Sequence, residues 1–105
     1  MTKITIELNT DLAQKVERLA NSYENKNILF KRFIRNYKSE IEDGINEIEK
    51  DLKKFEQKYN MSSILFHEKF KKGEVDDSAD FMIWAGIYEM QLDSKNKLVM
   101  LRTRL

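Results

Sequence analysis

A catalytic chain needs groups that hold a metal, activate a nucleophile or move a proton, and this one has few. His67 is the only histidine and cysteine is absent, so disulfides and thiolate metal sites are excluded. No carboxylate stands at a recognisable ligand spacing from His67. Asp76, Asp77 and Asp80 could hold a hard cation, but acids at the start of a helix account for them without one. There is no phosphate-cradling glycine loop and no nucleophile motif. The residues point away from catalysis, with no cofactor, no metal and no small-molecule substrate expected. Chemistry of another kind lies between residues 26 and 38. Lys26, Lys31, Arg32, Arg35 and Lys38 form a run with no acid among them. Such a run suits phosphate, where each contact releases counterions; it equally suits a solvated helix face.

The chain has 105 residues, which is one domain or a small domain with an appendage. Charged residues make up 35% of it and there is no proline, a mixture that favours amphipathic helices with solvated faces. The net charge of +1 is unevenly spread. Residues 1–39 hold eight Lys/Arg against four Asp/Glu, and the remainder holds eleven against fourteen. A basic front and an acidic rear suggest two surfaces with different partners. The opening Met1-Thr2-Lys3 does not lead into an apolar run, so no signal peptide is expected, and no stretch approaches membrane-spanning length. The expected location is the cytoplasm. Asn60-Met61-Ser62 fits the glycosylation pattern and reads as coincidence in that setting.

The elements that must position the basic run follow from apolar spacing. In Lys3-Ile4-Thr5-Ile6-Glu7-Leu8 the apolar residues fall at every second position, the period of a half-buried strand. A lone strand leaves its backbone groups unpaired. The expected mate is the same segment of a second copy across a two-fold axis; the alternative is a frayed arm or addition to another protein's sheet. Asn9-Thr10-Asp11 then offers caps for a helix ending near Ser22, with Leu12, Val16, Leu19, Ala20 and Tyr23 on one side. After the polar turn 23–27, an apolar stripe runs from Ile28 through Phe30, Phe33, Ile34, Tyr37, Ile41, Ile45, Ile48, Leu52 and Phe55 to Tyr59. Taken as one helix from Lys26 to Tyr59 it spans roughly 50 Å. Gly44 is its weak point, but the stripe keeps phase across it. Asn60–Ser63 ends that helix and caps a short one carrying Phe66 and Phe70, closed by Lys71-Lys72-Gly73. Asp76-Asp77-Ser78 opens a last helix with Phe81, Trp84, Ala85, Tyr88 and Leu92, extending through Leu98 and Leu101 toward Leu105. The fold class expected is mainly α with one N-terminal strand, divided into residues 1–43 and 44–105.

In this order, strand, helix, polar turn and helix with a basic start, residues 3–42 resemble the ribbon-helix-helix family of the Arc/MetJ type. The resemblance rests on Lys3–Leu8, on Leu12, Val16, Leu19 and Ala20, and on Ile28–Tyr37, about two-fifths of the chain. It implies a ribbon-helix-helix homodimer, followed here by the long helix and a C-terminal helical pair. Its paired strands would enter the DNA major groove. Lys3, Thr5 and Glu7 would then face base edges, and Asn25, Lys26, Asn27 and Lys31 would meet phosphate. The chain departs from the family in having no glycine in the turn. A two-stranded ribbon does fit the major groove, and helix N-termini do bind phosphate.

The rear half, in Phe66-His67-Glu68-Lys69-Phe70-Lys71-Lys72-Gly73-Glu74, Asp80-Phe81-Met82-Ile83-Trp84 and Tyr88-Glu89, is similar to the C-terminal region of small prokaryotic antitoxin-like proteins. That resemblance implies an antitoxin that represses its own promoter as a homodimer and neutralises a protein toxin through its C-terminal helices. Phe66, Phe70, Phe81, Trp84 and Tyr88 would be the anchors for the toxin, since Trp and Tyr are enriched at interface hot spots. The competing reading packs the same aromatics into a small helical core. A second functional class stays open: a helical oligomeric adaptor without DNA binding.

Overall fold

The computed structural model describes residues 1–102 and is helical throughout its regular structure. Four helices follow one another: α1 (Thr10–Asn21), α2 (Lys26–Tyr59), α3 (Ser63–Lys71) and α4 (Ala79–Arg102). They fall into two compact units, the first Met1–Asn36 and the second beginning at Tyr37. Leu105 lies outside the described residues.

The expected strand over Lys3–Leu8 is not formed, and with it goes the ribbon-helix-helix architecture. Residues 1–9 carry no regular structure, and no strand occurs among the described residues. A strand is defined by a ladder of bonds to a neighbour. Alternating apolar side chains supply only the face of a strand, not the mate for its backbone. Among the described residues no backbone–backbone bond of the turns, loops and caps involves residues 3–8, and the segment is exposed along its length.

In the first unit, Asn9 stands in extended conformation as the N-cap of α1 and its Oδ1 accepts from the Leu12 amide at 2.9 Å. Asp11 occupies the first turn, where it favours the helix dipole, and pairs with Lys15 at 3.0 Å. The helix closes on three-residue turns, Ser22 N–H and Tyr23 N–H donating to the carbonyls of Leu19 and Ala20. Asn25 folds its side chain onto the Asn27 amide at 2.9 Å and so opens α2. Ala20 is the one buried residue of this unit.

The helix α2 runs unbroken through Asp43-Gly44. The other end of α2 shows why it stops. Asn60 has a φ of +50°, a left-handed residue that side-chain amides tolerate, and Met61 N–H reaches back to the Glu56 carbonyl at 3.2 Å. Ser62 then caps α3, its Oγ accepting from Leu65 N–H at 3.2 Å. Gly73, with φ +73°, repeats the same device at the end of α3, Glu74 N–H donating to the Lys69 carbonyl. Ser78 accepts from Phe81 N–H and opens α4, which continues without interruption through the polar stretch at Asp93–Lys97.

The core of the second unit is Leu52 from α2, Phe66 from α3, and Trp84 and Ala85 from α4. Phe66 and Trp84 are fully buried, and their rings lie parallel with centroids 3.8 Å apart. Phe55 and Tyr59 also stack on Trp84, at 5.6 and 5.8 Å. Aromatic pairs of this kind add to simple burial. The indole N–H is satisfied by Ser63 Oγ at 2.9 Å, so this core closes without an orphan polar side chain among the described residues.

Candidate functional site

The two units present contrasting surfaces, and each is the frame for one group of site residues. In the first unit the apolar stripe of α1 is outward-facing: Leu12, Val16 and Leu19 are all exposed. So are Ile28, Phe30, Phe33 and Ile34 of α2. Between the helices and the N-terminal segment lies a groove of about 280 Å³. Ile6, Leu8, Val16, Leu19, Leu29, Phe30 and Phe33 line it, with no polar residue among them.

No basic residue lines that groove. At 100° per residue, Lys31 and Arg35 fall on the opposite side of α2 from Leu29 and Phe33. Arg32 rests against the Tyr23 hydroxyl at 3.4 Å. The first turn of α2 holds no acid, and none of the ion pairs of the described residues involves Lys26, Lys31, Arg35 or Lys38. Asn25, Lys26 and Asn27 cluster at the helix start as the sequence suggests, although the Asn25 side chain is spent on the Asn27 amide. Lys3, Thr5 and Glu7 are exposed on the N-terminal segment, which has no regular structure. Their assignment as base readers required a ribbon and falls with it.

In the second unit two of the expected toxin anchors, Phe66 and Trp84, are corrected. Phe66 and Trp84 have no surface left for a partner, because they are the centre of the core. Phe70, Phe81 and Tyr88 are partly buried and pack on that centre. What α4 exposes instead is Met82, Ile83 and Met90, with Gly86 between them and open space where a Cβ would stand. The apolar character of these positions is visible in the sequence. Only the placement of Trp84 and Ala85 inward shows that Met82, Ile83 and Met90 must point out.

Several polar pairs were not legible in advance because they join distant turns. His67, nearly buried, meets Glu89 at 3.1 Å and lies against Tyr88. Gln91, also buried, donates to Glu49 at 2.7 Å. Glu56 caps α3 by accepting from Ser63 N–H at 2.8 Å. Glu49, Glu56, Ser63, Gln91 and Lys95 border a shallow cleft of about 160 Å³. Its two carboxylates are engaged in these structural bonds. Asp80 accepts from Lys58 at 2.6 Å and from the Tyr59 hydroxyl. The bond from Lys58, with that from Tyr59 beside it, holds the Asp80 carboxyl below its ordinary value. The same carboxylate raises both Lys58 and Tyr59. Asp93 likewise raises Lys97.

No group of three or more His, Cys, Asp or Glu side chains suited to a metal ion occurs among the described residues. No described helix is long and apolar enough to cross a membrane. Comparison with family models, with curated proteins and with solved structures finds no match.

Proposed function

We propose that this chain is a non-catalytic, two-part interaction protein of the antitoxin type, acting in the cytoplasm. Its first unit meets DNA phosphate through Lys26, Lys31 and Arg35. Its second unit offers a protein partner, a toxin, the exposed surface of α4 around Met82, Ile83 and Met90. Methionine side chains adapt readily to an apolar partner. The observation that carries the reading is the run of basic residues at the start of α2 without ion-pair partners, in a unit separate from the closed aromatic core. A positive, unneutralised face raises the local concentration of polyanions. The similarity of the rear half to antitoxin-like proteins supplies the toxin.

The test is fluorescence anisotropy of a labelled duplex taken from upstream of the chain's own reading frame, over a salt series. Binding should weaken steeply with salt. Lys31→Glu with Arg35→Glu should flatten the slope by about one unit for each phosphate no longer neutralised. Absence of binding at low salt would overturn the DNA arm. Co-expression with the product of the adjacent gene tests the toxin arm: growth arrest relieved by the wild type and not by Ile83→Glu is the expected result.

A second reading, a helical adaptor without a nucleic-acid partner, is favoured by the absence of a strand over residues 1–9. Without a ribbon, the base-reading element that the family resemblance implied is missing.

A further inference from the structure

We infer that the exposed face of α4 around Gly86 takes a basic amphipathic helix of a protein partner. The inference rests on the reading of α4 as a partner-binding surface, but not on that partner being a toxin. It adds the chemistry of the partner and the point at which the two helices touch.

The face is set within the second unit. Trp84 and Ala85 are held in the core, which fixes the side of α4 that turns out. At 100° per residue, Met82, Ile83, Gly86 and Met90 fall within about 100° of one another, turned away from Trp84. The three side chains among them are each more than half exposed. They form one stripe over three turns, the pattern by which a helix meets the apolar side of another helix, and methionine adapts to the shape it meets.

Gly86 marks the point of contact. Glycine inside a helix is unfavourable relative to alanine, and a positive φ or a close neighbour is the usual reason for keeping it. Gly86 has neither: Gly73 is the glycine with a positive φ, and a Cβ at Gly86 would meet no atom within 4 Å. Gly44 also has open space around it, but it stands on α2 beside the exposed charges of Glu40 and Glu47. Gly86 instead lies between Met82, Ile83 and Met90, where a missing side chain lets a second helix axis come close.

Charge decides what kind of helix. Glu74, Asp76, Asp77, Asp80, Glu89 and Asp93 lie between Gly73 and Ser94, with no Lys or Arg among them. Asp80 is spent on Lys58 and Glu89 meets His67. Asp76 and Asp77 enter none of the ion pairs of the described residues and stand just before the stripe begins. Asp93, on the same side as Gly86, closes its other end. Its pair with Lys97 is exposed, and exposed pairs of this kind are readily exchanged. An apolar stripe with acid at both ends repels nucleic acid and anionic lipid, and complements a helix with an apolar side and Lys or Arg toward its ends. From Ala79 to Asp93 the surface runs for about 20 Å, which four turns of a partner helix would cover.

The experiment titrates the full chain into a labelled peptide of about 18 residues, with Leu at helical spacing and Lys at the remaining positions, followed by fluorescence anisotropy. Saturable micromolar binding that weakens with salt is expected. Ile83→Asn and Gly86→Leu should each weaken it by roughly tenfold or more, while Phe33→Asn in the first unit leaves it unchanged. Trp84 emission shows in each variant that the second unit is folded. Gly86→Leu enlarges the apolar surface, so weaker binding supports close helix contact, and unchanged or tighter binding overturns it. The same peptide with Glu in place of Lys should not bind; equal binding of the two overturns the charge argument. No binding of the basic peptide overturns the inference, even where the product of the adjacent gene is neutralised and the antitoxin reading stands. Peptide binding that Ile83→Asn and Gly86→Leu abolish supports the inference even where no growth arrest is relieved and the toxin reading falls.

Discussion

The bond from the Trp84 indole to Ser63 Oγ is the one place where a single oxygen decides whether the aromatic core closes. Trp84 is fully buried and Ser63 is 3% exposed, so water cannot replace the partner if the hydroxyl is removed. Ser63→Ala leaves a buried donor orphaned, at a cost of about 1–3 kcal/mol. Alanine in the first turn of α3 recovers a few tenths of a kcal/mol of helix propensity, so the net loss should be about 1–2 kcal/mol. For a unit of this size that corresponds to a fall in Tm of roughly 4–16 °C.

The assay is a thermal melt followed by far-UV circular dichroism, with the emission of Trp84, the only tryptophan, as a second probe of the same unit. Total loss does not separate a broken bond from altered packing, and a double-mutant cycle does. Trp84→Phe removes the donor. It costs more by itself, through poorer packing against Phe55, Tyr59 and Phe66, yet in its background Ser63→Ala has no donor to orphan. The Ser63→Ala penalty should then shrink to near zero or change sign. An equal penalty in both backgrounds would refute the bond as the cause.

The surface cluster and the helix glycines can be probed in the same way. Asp80 has its folded value lowered from 3.8 by Lys58 and Tyr59. Its contribution is therefore present above that ordinary value and is lost as pH falls through the depressed one. Lys58 and Tyr59 are raised from 10.5 and 10.0, so their contribution is present below those values and is lost only at higher alkalinity. Asp80→Asn should lower the urea midpoint at neutral pH, and the gap to wild type should close in strong acid; a gap of constant size from neutral pH to strong acid would count against the cluster. Gly44 and Gly73 should respond to alanine with opposite signs, since neither meets an atom within 4 Å but Gly73 alone has a positive φ. Gly44→Ala should stabilise by about 1 kcal/mol and Gly73→Ala destabilise by about 1–2 kcal/mol, read as shifts in melting midpoint.

Helices were legible here because their signals are local. Asn9, Ser62 and Ser78 cap within three residues of themselves, and the stripe from Phe30 to Tyr59 holds one phase along the whole of α2. The turn at Gly73 could be read from a basic last turn followed by glycine. The burial of Phe66 and Trp84 was legible as a type of environment, since large aromatics at helical spacing build cores. Their absence from any binding surface was not, because it depends on which turns of three helices meet. The pairs His67–Glu89, Gln91–Glu49 and Tyr59–Asp80 lie 21 to 42 residues apart, beyond the reach of any spacing rule. The strand over residues 3–8 shows the converse failure. Period-two alternation reports which side chains share a face, but says nothing of whether a backbone neighbour exists to make that face a sheet.

The same apolar spacing thus has different outcomes in the two units, and chain length explains why. From Tyr37 onward the chain has three helical segments, enough to surround Leu52, Phe66 and Trp84 on all sides, and the stripe is consumed inside. Before Tyr37 it has one three-turn helix, the first turns of α2 and an unpaired segment. Two short helices can shield one small residue, and Ala20 is that residue. Each further leucine or phenylalanine there adds surface faster than the unit can cover it. The stripe of α1 is as regular as any in the chain, yet Leu12, Val16 and Leu19 remain exposed on its apolar side. Periodicity in the sequence therefore marks a surface that must be covered, and the number of elements at hand decides whether the cover comes from within the chain.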